Sequence, residues 1–185
     1  MKNPKNLIFA AILLLPSMAM AQDKYGTRNG EISFFSSTPM EDISAINTKV
    51  ATVFVPATGT IEFSALIKAF EFQKALMQEH FNENYMESAT FPKATFKGKL
   101  VPAEGDDMMK AGTHPVAIEG VLTVHGVAKP MKSNGTLEVA DDGTVKAMCD
   151  FDIKPEDHGI TIPGVVRAKI AETINAKVRI TLSKL

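Results

Sequence analysis

From residue 115 to residue 153, and again from 174 to 182, the chain reads almost entirely as strands in which apolar and polar side chains alternate. A period of two is the mark of β-strands with one face in a core and one in water. Val116, Ile118, Leu122 and Val124 share one face, and Glu119, Thr123 and His125 share the other. His125-Gly126 interrupts the run with a residue able to take positive φ, so residues 127–139 return as a second strand. Asp141-Asp142-Gly143 is a hairpin signal leading into 144–153. Ile174, Ala176, Val178, Ile180 and Leu182 then alternate with Asn175, Lys177, Arg179 and Thr181, the cleanest strand in the chain.

The first half carries the same signals less regularly. Residues 31–37 are a strand candidate, and the broken stretch 42–55 supplies one or two more. Pro56-Ala57-Thr58-Gly59 reads as a turn joining 48–55 to 60–68, where Ile61, Phe63, Ala65 and Ile67 alternate with Glu62, Ser64 and Lys68. The period then changes. Phe72, Leu76, Met77, Phe81 and Tyr85 recur at helical spacing, with Lys74, Gln78, Glu79 and Glu83 on the other side. Phe91-Pro92 ends this helix, and Phe96, Gly98 and Leu100 alternate with Thr95, Lys97 and Lys99. Residues 103–112 read as a polar, flexible loop, 155–163 as irregular, and 165–173 as a short helix. The chain is therefore expected to be all-β, with about eight antiparallel strands and one inserted amphipathic helix. Closing the strands into a barrel removes exposed edges. A barrel of roughly eight strands has an interior just wide enough for side chains or one small ligand. A two-layer sandwich would carry the same strand pattern.

Residues 1–21 stand apart from this domain. Lys2 and Lys5 precede a short apolar run, 7–15, and Ala19-Met20-Ala21 has the form of a cleavage site. The run is shorter than the ~20 residues a membrane span needs. The expectation is a signal peptide cleaved after Ala21, a mature chain beginning at Gln22, and a periplasmic or secreted location. Without the leader, 164 of the 185 residues remain, with 18 basic against 21 acidic residues and a formal charge of −3. That length suits one domain, 22–185, and that charge does not advertise nucleic acid as a partner. One cysteine, Cys149, cannot form an internal disulfide. It lies in phase with Val145, Ala147, Phe151 and Ile153, as a small buried hydrophobe would.

The inward set implied by alternation is apolar throughout and holds no Asp, Glu, Lys or Arg. Glu62, Glu119, Asp150 and Asp152 fall on the outward phase. Interior catalysis would need paired carboxylates, or a base oriented against a nucleophile, and neither is visible. The histidines, His80, His114, His125 and His158, lack the spacing of a metal site, and no phosphate loop or catalytic signature is present. No metal and no cofactor are expected. Small residues recur in the inward phase: Ala65, Gly98, Gly120, Ser133, Gly135, Ala147 and Ala176. Either an apolar ligand occupies the space beside them, or the helix packs close and barrel corners require glycine.

Several segments together resemble the YceI-like family: Leu122-Thr123-Val124-His125-Gly126-Val127-Ala128-Lys129-Pro130, Glu31-Ile32-Ser33-Phe34, Leu76 to Tyr85 followed by Phe91 to Phe96, Phe151 to Ile160, and Ile174 to Leu182. The stretch after the first strand, Ser36-Ser37-Thr38-Pro39-Met40, lacks the His-bearing segment frequent in that family. The resemblance implies a lipocalin-like antiparallel barrel, an exported location, and binding of a polyisoprenoid or similar amphiphile. It offers no catalytic residues.

The leading expectation is thus a lipid-binding barrel rather than an enzyme. Candidate ligand contacts are Phe34, Phe63, Ile67, Phe96, Ile118, Leu122, Leu137, Ala147, Phe151 and Val178. The partners expected are an isoprenoid-type lipid or other amphiphile and, as an option, a second copy of the chain, with no transmembrane anchor. Two rivals stand beside it. One is an enzyme acting on the bound lipid, with the four histidines as its only polar candidates. The other is a filled structural or stress-response barrel without ligand.

Overall fold

In the computed structural model, which describes residues 22–185, eight strands form a closed antiparallel barrel. They are β1 (Tyr25–Ser37), β2 (Asp42–Val55), β3 (Thr60–Leu66), β5 (Lys93–Pro102), β6 (Gly112–Val124), β7 (Val127–Val139), β8 (Val145–Ile153) and β9 (Ile174–Lys184). The two-residue strand β4 (Glu71–Phe72) adds to the edge of β2. Order around the wall is β1-β9-β8-β7-β6-β5-β3-β2, and β1 pairs back with β2 to close it. The leader expected at residues 1–21 lies outside the described residues.

Hairpins account for most of the order. His125 (φ 50°) and Gly126 (φ 75°) both take left-handed backbone, the conformation of a two-residue turn whose twist matches the flanking strands. Ala140 to Thr144, with Gly143 at φ 82°, turns β7 into β8. The 3₁₀ turn Pro56–Thr58 with Gly59 at φ 67° turns β2 into β3. The stretch read as one or two broken strands is a single fourteen-residue strand, β2.

The alternation expected from sequence is the alternation of burial. In β9, Ala176, Val178, Ile180 and Leu182 are buried while Lys177, Arg179 and Thr181 face water. The closed end of the barrel is densely filled, with Phe54, Val145 and Leu182 entirely inaccessible. The loop between β5 and β6, expected to be polar and flexible, folds back over this end and buries Met108.

The inserted helix is shorter than its apolar spacing implied. Helix α1 covers Ala75–His80 and continues as a π-helical turn, Phe81–Tyr85, in which the Met86 N–H donates to the Phe81 carbonyl at 2.9 Å. Phe72, which fits the helical spacing, belongs instead to β4. The short helix expected at 165–173 is the 3₁₀ segment Gly164–Lys169.

Candidate functional site

Some inward-facing side chains are only half-buried. Phe34, Phe63, Met131, Ala147, Cys149 and Phe151 point into the barrel, yet a water-sized sphere touches each of them. That exposure is to an internal space, because these residues line three adjoining cavities. The innermost, about 50 Å³, is bounded by Phe63, Phe96, Ile118, Ala147, Phe151 and Val178 among others. The next, about 120 Å³, shares Phe63 and Phe151 with it and adds Phe34, Ile67 and Leu122. The outermost, about 420 Å³, shares Phe34, Phe81, Met86 and Ile160 with the middle one and opens to solvent between α1 and the Gly164–Lys169 segment. Joined through these shared side chains, the three make a tunnel-like series along the barrel, wide at the mouth and narrow at its inner end.

All ten residues singled out from sequence line this tunnel. Phe63, Phe96, Ile118, Leu137, Ala147, Phe151 and Val178 surround the inner cavity, and Phe34, Phe63, Ile67, Leu122 and Phe151 the middle one. Ile67 sits on a 3₁₀ turn, Ile67–Ala69, rather than on the strand its alternation suggested, but is still buried. Sequence reasoning missed the mouth. Its walls come from α1, the π-helical turn and residues 155–174, including Leu76, Met77, Tyr85, Ile162, Val166 and Ile170. The signal was present in part, since Leu76, Met77, Phe81 and Tyr85 are the apolar face of the helix. In the fold that face borders the open mouth cavity. Around it Phe34, Phe70, Phe72 and Phe81 form an aromatic collar, with ring centroids 5.0 Å apart for Phe72–Phe81 and 5.6 Å for Phe34–Phe81.

The small inward residues divide into two kinds. A Cβ on Gly98 would meet the Glu119 carbonyl oxygen and stand 2.5 Å from the Phe96 ring. One on Gly120 would meet the Lys97 carbonyl oxygen and stand 2.7 Å from the same ring. Here two strands approach closely and the Phe96 ring lies across the pair, so the space is filled by protein. Ala147 is different, since it borders the inner cavity directly.

Polar chemistry keeps to the ends. His80, Lys74, Lys169, Glu41 and Tyr85 border the mouth, and Lys74 pairs with Glu41 at 3.2 Å. Burial pushes the Tyr85 phenol up. Of the four histidines only His80 borders the tunnel. His125 and His158 fasten the turn after β8 to the β6–β7 hairpin, with His125 Nδ1 3.3 Å from the His158 carbonyl and His158 Nδ1 3.1 Å from that of Val127. His114 lies at the opposite end. Its Nδ1 is 2.9 Å from the Asp106 carboxylate and its Nε2 2.7 Å from the Lys110 carbonyl. Both partners only accept, so both ring nitrogens donate in the imidazolium form. The Asp106 hydrogen bond and then the Lys110 carbonyl hold its pKa above the ordinary histidine value. Among the described residues no cluster of three His, Cys, Asp or Glu could hold a metal ion.

The wall is open between the first half of β7 and the end of β8. β7 pairs with β6 along its whole length, but with β8 only from Gly135 to Val139. On the other side Asp150 to Ile153 pair with β9 and not with β7. Met131 and Phe151 fill the floor of the resulting slot and also border the inner cavity. Side chains substitute for the missing rungs: Ser133 Oγ donates to the Asp150 carbonyl at 3.3 Å, and Cys149 Sγ lies 3.5 Å from Ser133 Oγ. Burial pushes the Cys149 thiol up, which suits a packing role.

Residues 24–183 match the YceI-like domain family. Among solved structures, a polyisoprenoid binding domain from Saccharophagus degradans is 12% identical, covers 89% of this chain and 100% of its own, and superposes with a TM-score of 0.76. BcnA from Burkholderia cenocepacia is 18% identical over 83% of this chain and 96% of its own, with a TM-score of 0.66. A YceI protein from Campylobacter jejuni is 15% identical over 75% of this chain and 82% of its own, with a TM-score of 0.58. No curated protein gives a significant sequence match.

Proposed function

This chain belongs to the YceI-like family, and from that premise we propose that it is an exported carrier holding a polyisoprenoid, or a similar long apolar amphiphile, along its barrel axis. The supporting observation is the tunnel itself: three adjoining cavities with apolar walls, reached through a mouth where the only bordering charges stand. A tail inside would gain about 0.8 kcal/mol per CH₂ removed from water. The polar head would remain at the mouth, near Lys74, His80, Tyr85 and Lys169. The S. degradans relative, described as a polyisoprenoid binding domain, has the same fold. The leader read at residues 1–21 supports export to the periplasm or beyond, with Gln22 as the first mature residue. N-terminal sequencing that finds Met1 on exported protein would reject that part.

The test is paired. Native mass spectrometry of protein purified from its own host should reveal a bound lipid, lost on mild organic extraction. Ala147→Phe should shorten the tunnel at its inner end and shift retained lipids toward shorter tails, with a stability loss in the lipid-free protein smaller than the ~1–3 kcal/mol of overpacking a filled core. If the wild type retains no lipid and Ala147→Phe does nothing but destabilise, the barrel is a filled structural one.

A further inference from the structure

We propose that the rim of the tunnel mouth is a membrane-docking face, on which the barrel rests against a lipid bilayer while its ligand passes between bilayer and tunnel. The inference rests on the carrier reading and adds the surface from which the ligand is exchanged.

Four large apolar side chains are more than half exposed: Val165 at 92%, Leu185 at 75%, Met40 at 65% and Leu76 at 61%. Leu185 ends the chain beside Gly26, at the closed end of the barrel. Of the other three, Leu76 borders the mouth, and Met40 and Val165 are the chain neighbours of the mouth residues Glu41 and Val166, on three separate segments. Met40 is at the tip of the β1–β2 hairpin next to Glu41, Leu76 is on α1, and Val165 precedes Val166 in the Gly164–Lys169 turn. Glu41, Leu76 and Val166 border the mouth cavity itself. Single exposed apolar residues are ordinary on any protein. Here they converge on one opening and leave the barrel's sides to smaller exposures.

The charges of the same rim point to the occupant. Lys74 is paired with Glu41 at 3.2 Å and Arg167 with both Glu156 and Glu172 at 3.1 Å, and Lys169 beside them offsets the extra carboxylate, so the rim charges balance. Charge neutralised within the rim leaves little to attract an oppositely charged protein surface, and little to gain from anionic lipid. What remains is apolar protrusion. The apolar surface runs from Leu76 and Val166 into the tunnel, so a tail leaving a bilayer would stay against hydrocarbon-like surface at each step. The partner that fits is therefore a bilayer interface, zwitterionic lipid being sufficient.

The chain has no tryptophan, so Val165→Trp introduces a single tryptophan at the rim, excited apart from the tyrosines. On mixing with phosphatidylcholine vesicles its emission should shift to the blue, equally at low and high salt, and the protein should float with the vesicles. The double variant Met40→Ser/Val165→Ser should lower flotation at least tenfold and slow uptake of a polyprenol from vesicles by a similar factor. Its uptake of polyprenol from detergent solution and its thermal midpoint should match wild type. Leu185→Ser, changing an equally exposed residue at the far end, should leave flotation unchanged. An unshifted emission, or vesicle uptake by the double variant as fast as wild type, overturns the proposal. So does a dimer that the double variant abolishes, which would assign the rim to a second copy of the chain. Failure of every form to take polyprenol from detergent would reject the carrier reading alone, since flotation tests the docking face independently.

Discussion

The two ends of the barrel are built from similar strands and do opposite things with their interiors. At the closed end Phe54, Val145 and Leu182 leave no accessible surface, and Met108 from the β5–β6 loop is pressed over them. Part-way up, the Phe96 ring covers Gly98 and Gly120, and the inner cavity has shrunk to about 50 Å³. At the mouth β1 and β2 still supply Phe34, Ser36 and Ile43, but most of the wall passes to α1, the π-helical turn and residues 155–174, and the cavity there is about 420 Å³. A strand pair holds its partner at a fixed spacing of about 4.8 Å, so a small barrel fills itself with its own side chains. Inserted segments have no such spacing to obey. The contrast teaches that the tunnel widens where sheet geometry gives way to connections.

The comparison breaks most sharply at the glycine pair. Gly120→Val should destabilise the barrel by about 3 kcal/mol, because the new side chain meets the Lys97 carbonyl and the Phe96 ring. Urea denaturation measures it, and a loss below about 1 kcal/mol would mean that this part of the interior is not filled as described. The β7–β8 opening is the next test. Ser133→Cys should form a disulfide with Cys149, whose sulfur already lies 3.5 Å from Ser133 Oγ. Closing so short a loop should add roughly 2–3 kcal/mol in the oxidised form over the reduced one. With the mouth as the proposed route, lipid retention should be unaltered; slower exchange on oxidation would move the route to the wall.

The smallest effect lies under the closed end. Folding raises the His114 pKa, so the His114–Asp106 pair contributes in full below about pH 6.5. That contribution is lost as pH climbs through the raised value, where the unfolded chain has already released its proton. The thermal midpoint of wild type should therefore fall on going from about pH 6 to about pH 8, and His114→Gln should flatten the slope. A slope unchanged by the substitution would show that the loop is held by Met108 alone.

Much of the wall was legible before any coordinates. Period-two alternation identifies a strand from its own residues, since neighbouring Cβ atoms point to opposite faces whatever lies across the sheet. For that reason the strands of the second half were legible, and the candidate contacts placed by alternation border the cavities, although Ile67 does so from a 3₁₀ turn and not from a strand. The helix was legible only in type. Phe72 fits the helical spacing yet pairs with Ala45 on β2, because an unpaired strand edge offered it a ladder. The mouth residues between 155 and 174 carry no period at all. Their chain is irregular, and its side chains meet the helix only through the fold.

By itself the sequence determined the antiparallel strands, the turns at His125-Gly126 and Gly143, the apolar inner phase and the outward placement of the charges. These are local consequences of backbone sterics and of burying one face. Only the tertiary structure decided whether the small inward residues face a void or a neighbour. Gly98 and Ala147 look alike in a pattern of alternation, but one lies beneath the Phe96 ring and the other beside open volume. Emptiness depends on how far apart non-adjacent segments are held, and that distance is set by packing between residues remote in the chain rather than by any residue's own preference.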